Sequence, residues 1–228
     1  MKRIILLFVV FALALTSCRQ ASEQQDVAAD NQLQNGDLIF VGIPMDYTIA
    51  DSTSIDQAIV DATGDSGTVN YIHVAIVETE GDSTFIIDAT IKRGVARYPI
   101  DTFFVDFRLK DGSSPRFDVM RLKDNSDASI YVQRAIEYVG RKYDMCFLPD
   151  NDDQYCSELV RNAYVTADKT YLFAEAPMNF KNADGEFPPY WKELFDILGM
   201  PIPQDFMGTN PNDMSQDTNL RYVTTLVP

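Results

Sequence analysis

Beyond the first eighteen residues, the chain has one histidine and two cysteines, and these few side chains limit the chemistry it can perform. The cysteines are Cys146 and Cys156, and the histidine is His73. Because the sequence contains no other imidazole, thiol chemistry with a histidine base requires His73. The apolar spacing that follows Cys156 predicts a helix that begins at this residue. A helix N-terminus and a neighbouring imidazolium both lower the pKa of a thiol and make it nucleophilic.

A histidine base needs a third polar group that holds its other ring nitrogen, and Asp88 is the candidate. His73 lies in the β-prone run Ile72–Glu78, and Asp88 lies in the β-prone run Thr84–Ala89. Between them, Glu80–Asp82 contains a glycine and predicts a hairpin turn. Such a turn pairs position 75 with Asp88, so we expect Asp88 within a residue or two of His73.

These residues also have structural interpretations. Cys146 and Cys156 can form a disulfide in an oxidising compartment, because they are the only cysteines after the leader. His73 can be a buried strand histidine, and Asp88 an acid at a strand end. The residue types alone leave open whether the chain is an enzyme or a binding module closed by a disulfide.

The remaining patterns predict strands early in the chain and helices later. Further strands are expected at Asp37–Val41 and Phe117–Leu122, with a last strand near Leu220–Leu226. A helix is expected to end near Gly140, and the rest of the C-terminal third is expected to be irregular covering. This distribution favours an α+β fold over an alternating parallel one.

The N-terminal segment has the pattern of a lipoprotein signal. Lys2 and Arg3 precede the apolar run Ile4–Leu15, whose twelve residues are too few to span a bilayer. Small residues then precede Cys18, and the segment resembles a bacterial lipobox, whose cysteine is lipidated and becomes the N-terminus. An ordinary secretory signal with an incidental Cys18 is the alternative.

We therefore expect a signal peptide at 1–17, a flexible tether at 18–32 and a single folded domain at 33–228. Acyl chains on Cys18 would anchor the domain to a membrane of the bacterial cell envelope, where it would face the periplasm or the cell surface.

The chain is strongly acidic, with 34 Asp and Glu against 19 Lys and Arg. Loss of residues 1–17 removes two basic residues and leaves 17 against 34, a net charge of −17. This charge argues against a nucleic-acid partner and suits a cationic or amine-bearing ligand. One histidine and two cysteines do not build a common zinc site, so no metal or cofactor is expected.

Several short motifs occur in the order seen in a known hydrolase family. They are Gly36–Phe40, Tyr71–Val77, Ile87–Ala89, Tyr143–Asp144 and Tyr155–Val160. With these motifs the sequence resembles the YiiX-like branch of the permuted, NlpC-type papain-like hydrolases, roughly over Leu33–Tyr164. The resemblance implies a circularly permuted papain-like fold, with an antiparallel sheet and a helix that carries the nucleophile.

The resemblance also implies roles for individual residues. The family's nucleophile falls on Cys156, its histidine on His73 and its third polar residue on Asp88. That third residue is more often Glu, so Asp88 departs from the pattern by one methylene. Tyr155 matches a family tyrosine and is expected to donate to an oxyanion or to line the substrate cleft, with aromatic packing at the helix start as the alternative.

The sequence thus predicts a cell-envelope cysteine hydrolase that cleaves an amide in a peptide or peptidoglycan fragment. Cys156 attacks, His73 transfers the proton and Asp88 orients the imidazole. A lipid acyl hydrolase or acyltransferase with the same site is one alternative. A non-catalytic module with a Cys146–Cys156 disulfide is the other.

Overall fold

The structure is a computed structural model, and it describes residues 32–44, 54–64, 69–149 and 151–228. The chain divides into two units, Met1–Leu33 and Gln34–Pro228, and the fold given below is that of the second unit. The predicted signal peptide, Cys18 and nearly all of the predicted tether lie outside the described residues.

Within the described residues, a six-stranded antiparallel sheet forms the centre of this unit. Its strands are β1 (Leu38–Pro44), β2 (Val69–Glu80), β3 (Ser83–Thr90), β4 (Gly94–Pro99), β5 (Arg116–Leu122) and β8 (Leu220–Leu226). They lie side by side in the order β4-β3-β2-β1-β5-β8. Two short strands, β6 (Ala176–Pro177) and β7 (Met207–Gly208), pair separately.

The described residues also form helices, which lie between the strands along the chain. They are α1 (Ile55–Thr63), α2 (Ile100–Asp106), α3 (Ala128–Glu137), α4 (Cys156–Ala163), α5 (Pro189–Leu198) and α6 (Pro211–Ser215). None of the helices in this part of the chain is long and apolar enough to cross a membrane.

The sheet is covered on both faces, which explains why its central strands are almost continuously apolar. Phe40 of β1 packs with α3 and α4 in the main core cluster. The next residue, Val41, points to the opposite face and pairs with His73 of β2 and Phe117 of β5. Residues directly opposite in antiparallel strands share a face. Phe103 of α2 covers that face, with its ring 5.6 Å from the Phe117 ring.

A β-bulge lies beside His73. The pairing of β1 with β2 changes from Val41 opposite His73 to Gly42 opposite Tyr71, so Ile72 is the extra residue of β2. Bulges bend a strand and redirect neighbouring side chains, and they occur often next to active sites.

The predicted α+β fold with an antiparallel sheet is confirmed. The predicted strands overlap β1, β2, β3, β5 and β8, and α4 begins at Cys156 as predicted. The expectation of an irregular C-terminal third was wrong at α5, which begins at Pro189 and is followed by Gly199 in a left-handed conformation. The fixed φ of proline suits the first helical position, so a proline there starts a helix instead of preventing one.

Candidate active site

The thiol of Cys156 lies at the start of α4. Tyr155 is the extended residue before the helix, and its backbone N–H donates to Glu158 Oε2 at 3.2 Å. Burial raises the pKa of Glu158 to about 8. The N–H of Cys156 itself is in the first turn and has no intrahelical acceptor. This N–H can therefore donate to an oxyanion that forms beside the thiol.

His73 of β2 joins the thiol to an acid. Its Nε2 lies 2.8 Å from Asp88 Oδ2, and Cys156 is near enough for its charge to raise the pKa of the imidazole. Because Nε2 faces Asp88, Nδ1 is the nitrogen left for the thiol. The imidazole, the thiol and the Asp88 carboxylate are all buried. The predicted proximity of His73 and Asp88 is thereby confirmed.

The electrostatics of the cluster favour a charged imidazole. Burial alone would lower the pKa of His73, but the negative charge of Cys156 and the hydrogen bond and charge of Asp88 outweigh it and raise the pKa to about 10. At neutral pH the imidazole is thus protonated. A protonated imidazole can form an ion pair with a thiolate, which is the reactive form of a papain-like cysteine.

Asp88 also has a partner that sequence reasoning missed. The hydroxyl of Tyr98 donates to Asp88 Oδ2 at 2.8 Å. Burial and the charge of Asp88 raise the pKa of Tyr98, so the phenol keeps its proton and remains a donor. The register of β3 and β4 puts Ile86 opposite Tyr98 and Ala96 opposite Asp88. The signal that would have found Tyr98 is therefore the alternation of residues along β4, which the sequence analysis did not identify as a strand.

Helix α2 supplies the aromatic wall behind the imidazole. The Phe107 ring lies 4.6 Å from the His73 ring, and the Phe103 ring lies 6.3 Å from it. These contacts limit the movement of the imidazole and keep water from that side.

Tyr155 makes its contacts with the C-terminal segment. Its hydroxyl accepts a hydrogen bond from the backbone N–H of Thr209 at 3.1 Å and lies 3.8 Å from Met178 Sδ. Its ring packs 5.4 Å from the Phe147 ring. The residue thus holds the helix start against Thr209, and its side chain also lines a cavity beside Cys156.

Two cavities meet at the His73–Cys156 pair. His73 lines the larger, of about 380 Å³, and Cys156 lines the smaller, of about 60 Å³. Ile59, Ile72 and Tyr143 line both. Burial and the charge of Cys156 raise the pKa of Tyr143, so its hydroxyl stays protonated beside the pair.

The structure does not contain the disulfide that the binding-module alternative requires, because Cys146 and Cys156 are both free thiols. Cys146 lies in a loop organised by Asp144, whose carboxylate accepts the backbone N–H of Cys146 at 2.8 Å and that of Leu148 at 3.1 Å.

Comparison with known proteins identifies a family and a structure of similar fold. Residues 32–224 match the family described as permuted papain-like amidase enzyme, YaeF/YiiX, C92 family. The fold is similar to the crystal structure of the metalloprotein YiiX from Escherichia coli O157:H7, with a TM-score of 0.65 and 23% identity over 86% of this chain and 99% of that chain. No match was found among curated proteins.

Proposed function

Because the chain belongs to the permuted papain-like amidase family of YaeF and YiiX, we propose that it cleaves an amide bond with Cys156, His73 and Asp88. Membership makes the chain a papain-like cysteine hydrolase with a peptide-type substrate. The observation that carries the residue assignment is the position of His73, whose Nε2 is hydrogen-bonded to Asp88 and whose pKa is raised by the neighbouring Cys156.

In the proposed reaction, the Cys156 thiolate attacks the amide carbon, and a bond forms between Sγ and that carbon. The backbone N–H of Cys156 stabilises the resulting oxyanion. The His73 imidazolium gives its proton to the leaving nitrogen, the carbon–nitrogen bond breaks and an acyl-enzyme remains. Water then attacks the acyl-enzyme and gives a proton to His73, which releases the acid and restores the ion pair. Chain order is irrelevant to this chemistry, because only spatial roles define the triad.

No step of this mechanism uses a metal. The similar structure is described as that of a metalloprotein. Among the residues described for the present chain, no group of three or more histidine, cysteine or acidic side chains is placed to hold a metal ion. The donors that this part of the chain offers therefore do not fit a resident metal.

The test is a pair of cysteine variants assayed on small N-acyl amino acids and peptides. Cys156→Ala should lower hydrolysis at least about 1,000-fold, because it removes the nucleophile. Cys146→Ala is the matched control and should retain activity, since the contact of Cys146 with Asp144 uses only the backbone N–H. Mass spectrometry of wild-type protein quenched during turnover should find the acyl group on Cys156. An active Cys156→Ala variant would refute the proposal.

We propose further that the enzyme is anchored in the cell envelope through a lipid on Cys18 and acts there on peptide or muropeptide-like amides. The support is the sequence of the first eighteen residues, with its basic start, short apolar run and small residues before the cysteine.

A further inference from the structure

The described residues that line the larger cavity have a net charge opposite to that of the whole chain. Acidic residues outnumber basic ones 34 to 19 in the sequence. In the cavity lining, the described charged residues other than His73 are Lys92, Arg93, Arg108, Lys110, Asp56 and Asp106. Basic side chains thus predominate beside His73, and the imidazolium itself adds to their positive charge.

The two acids of the lining do not cancel this charge. Asp106 accepts from Lys92 Nζ at 2.8 Å and also from the Arg93 guanidinium, so one carboxylate faces two cations. Burial raises the pKa of Asp56, and the nearby charges of His73 and Lys110 oppose this rise, so this carboxylate also faces cations.

Arg108 and Lys110 stand at the exposed side of the same cavity. They follow directly after α2, whereas Lys92 and Arg93 lie in the turn between β3 and β4. The cavity therefore has cationic side chains from two separate segments of the chain, and an anionic group bound between them would be held from both sides.

The position of His73 decides which part of the substrate enters this cavity. The imidazolium must give its proton to the leaving nitrogen, so the amine half of the amide lies next to it. In the described part of the chain, His73 lines only the larger cavity and Cys156 only the smaller. The amine half therefore belongs in the larger cavity, and the acyl half belongs on the Cys156 side.

From these observations we propose that the amine released by the enzyme carries a carboxylate, so that the substrate is an N-acylated amino acid or a peptide cleaved near its free C-terminus. The carboxylate binds the cations of Lys92, Arg93, Arg108 and Lys110. This inference rests on the proposed amidase function. The net charge of the chain predicts an amine-bearing ligand, whereas the basic lining of the cavity predicts an anionic one. A cavity of about 380 Å³ is within the range of small-molecule sites.

The experiment compares N-acetyl amino acids that have a free carboxylate with the same compounds as carboxamides. Wild-type enzyme should prefer the carboxylates by about 10- to 100-fold in kcat/KM, the range expected for hydrogen bonds to a charged group. The double variant Arg108→Ala/Lys110→Ala should bring that ratio toward one. Lys192→Ala, which removes an exposed cation of α5 outside the cavity, is the matched control and should keep the ratio. Equal rates for the two series in the wild type would overturn the inference.

A binding measurement separates this inference from the proposed function. In Cys156→Ala, titration with the free amino acid and with its amide should show tighter binding of the carboxylate form, and the Arg108→Ala/Lys110→Ala changes should remove the difference. Equal binding of the two forms would refute the anionic site even if the wild-type enzyme hydrolyses amides. Preferential binding without hydrolysis of any amide by the wild type would support the site and refute the amidase proposal.

Discussion

The protonation of His73 is the single-residue property on which the proposed reaction depends, and the pH dependence of the rate reports it. Its pKa of about 10 means that the imidazolium is available to the leaving nitrogen across the neutral range. We predict that kcat/KM is lost on the alkaline side as pH rises through about 10.

The variant Asp88→Asn removes a charge that raises the pKa of His73. The alkaline loss of kcat/KM should therefore occur at lower pH, and the rate should fall at least about 10-fold. If the alkaline loss of kcat/KM occurs at the same pH in Asp88→Asn as in the wild type, the role of Asp88 is contradicted. The control is Asp101→Asn, which changes an exposed acid of α2.

The raised pKa of His73 also makes the stability of the fold depend on pH. The folded pKa of His73 lies above its ordinary value of 6.5. The stability that comes from its protonation is therefore fully present below about pH 6.5 and is lost as pH rises through about 10.

Tyr98 is a positioning residue, because it acts on Asp88 and not on the reacting atoms. Tyr98→Phe keeps the ring and removes the donor to Asp88 Oδ2. We predict a loss of about 1 kcal/mol in the free energy of unfolding and a lower kcat. KM should not change, since neither cavity, as lined by the described residues, includes Tyr98. Urea denaturation and steady-state kinetics measure these effects, with the exposed Tyr222→Phe as control. A change in KM alone would show that Tyr98 does not position the triad.

At the scale of elements, two hairpin turns position the site, and their glycines offer a matched test. Gly81 has φ +59° and no atom within 4 Å of a built Cβ, whereas Gly94 has φ +66° and would place its Cβ 2.2 Å from Arg141 O. Gly81→Ala should cost about 1 kcal/mol from backbone strain alone. Gly94→Ala should cost at least about 2 kcal/mol, because it adds a clash with backbone to the strain. Thermal or urea unfolding of the two variants distinguishes these costs, and equal costs would contradict the close approach at Gly94.

The elements also show which features a sequence can predict. The proximity of His73 and Asp88 follows from one local turn, so residue patterns alone were sufficient. Helix α2 is short, and Ile100–Asp106 is rich in aromatic and β-branched residues of modest helix propensity, so nothing local indicates a helix there.

Contacts between distant segments were harder to predict. No local pattern brings Cys156 near His73, because the two residues are 83 positions apart; their pairing was expected from the single imidazole and from the family resemblance. The cations of the larger cavity come from two segments, and the fold alone brings them together. Net charge could not predict their position because it carries no spatial information.

At the scale of the whole molecule, the proposed lipid anchor on Cys18 can be tested by fractionation. Cys18→Ala should move the protein from the membrane fraction to the soluble fraction or leave it as an unprocessed precursor. Detergent partitioning and mass spectrometry of the N-terminus measure both outcomes. A wild-type N-terminus other than a modified Cys18 would overturn the lipid anchor, and Cys146→Ala should leave the fractionation unchanged.

In the proposed reaction the two products leave at different times, because an acyl-enzyme separates the two steps. The amine would depart from the larger cavity, which His73 lines, while the acyl group is still attached to Cys156. The attacking water would then reach the carbon from the side that the amine has vacated. Kinetics should therefore be of the ping-pong type, with the amine as first product. Added amine product should occupy the vacated space and slow deacylation, and a second amino acid supplied at high concentration should capture the acyl group in place of water. Product analysis by mass spectrometry would detect the exchanged amide, and its complete absence would show that the amine does not return to the larger cavity.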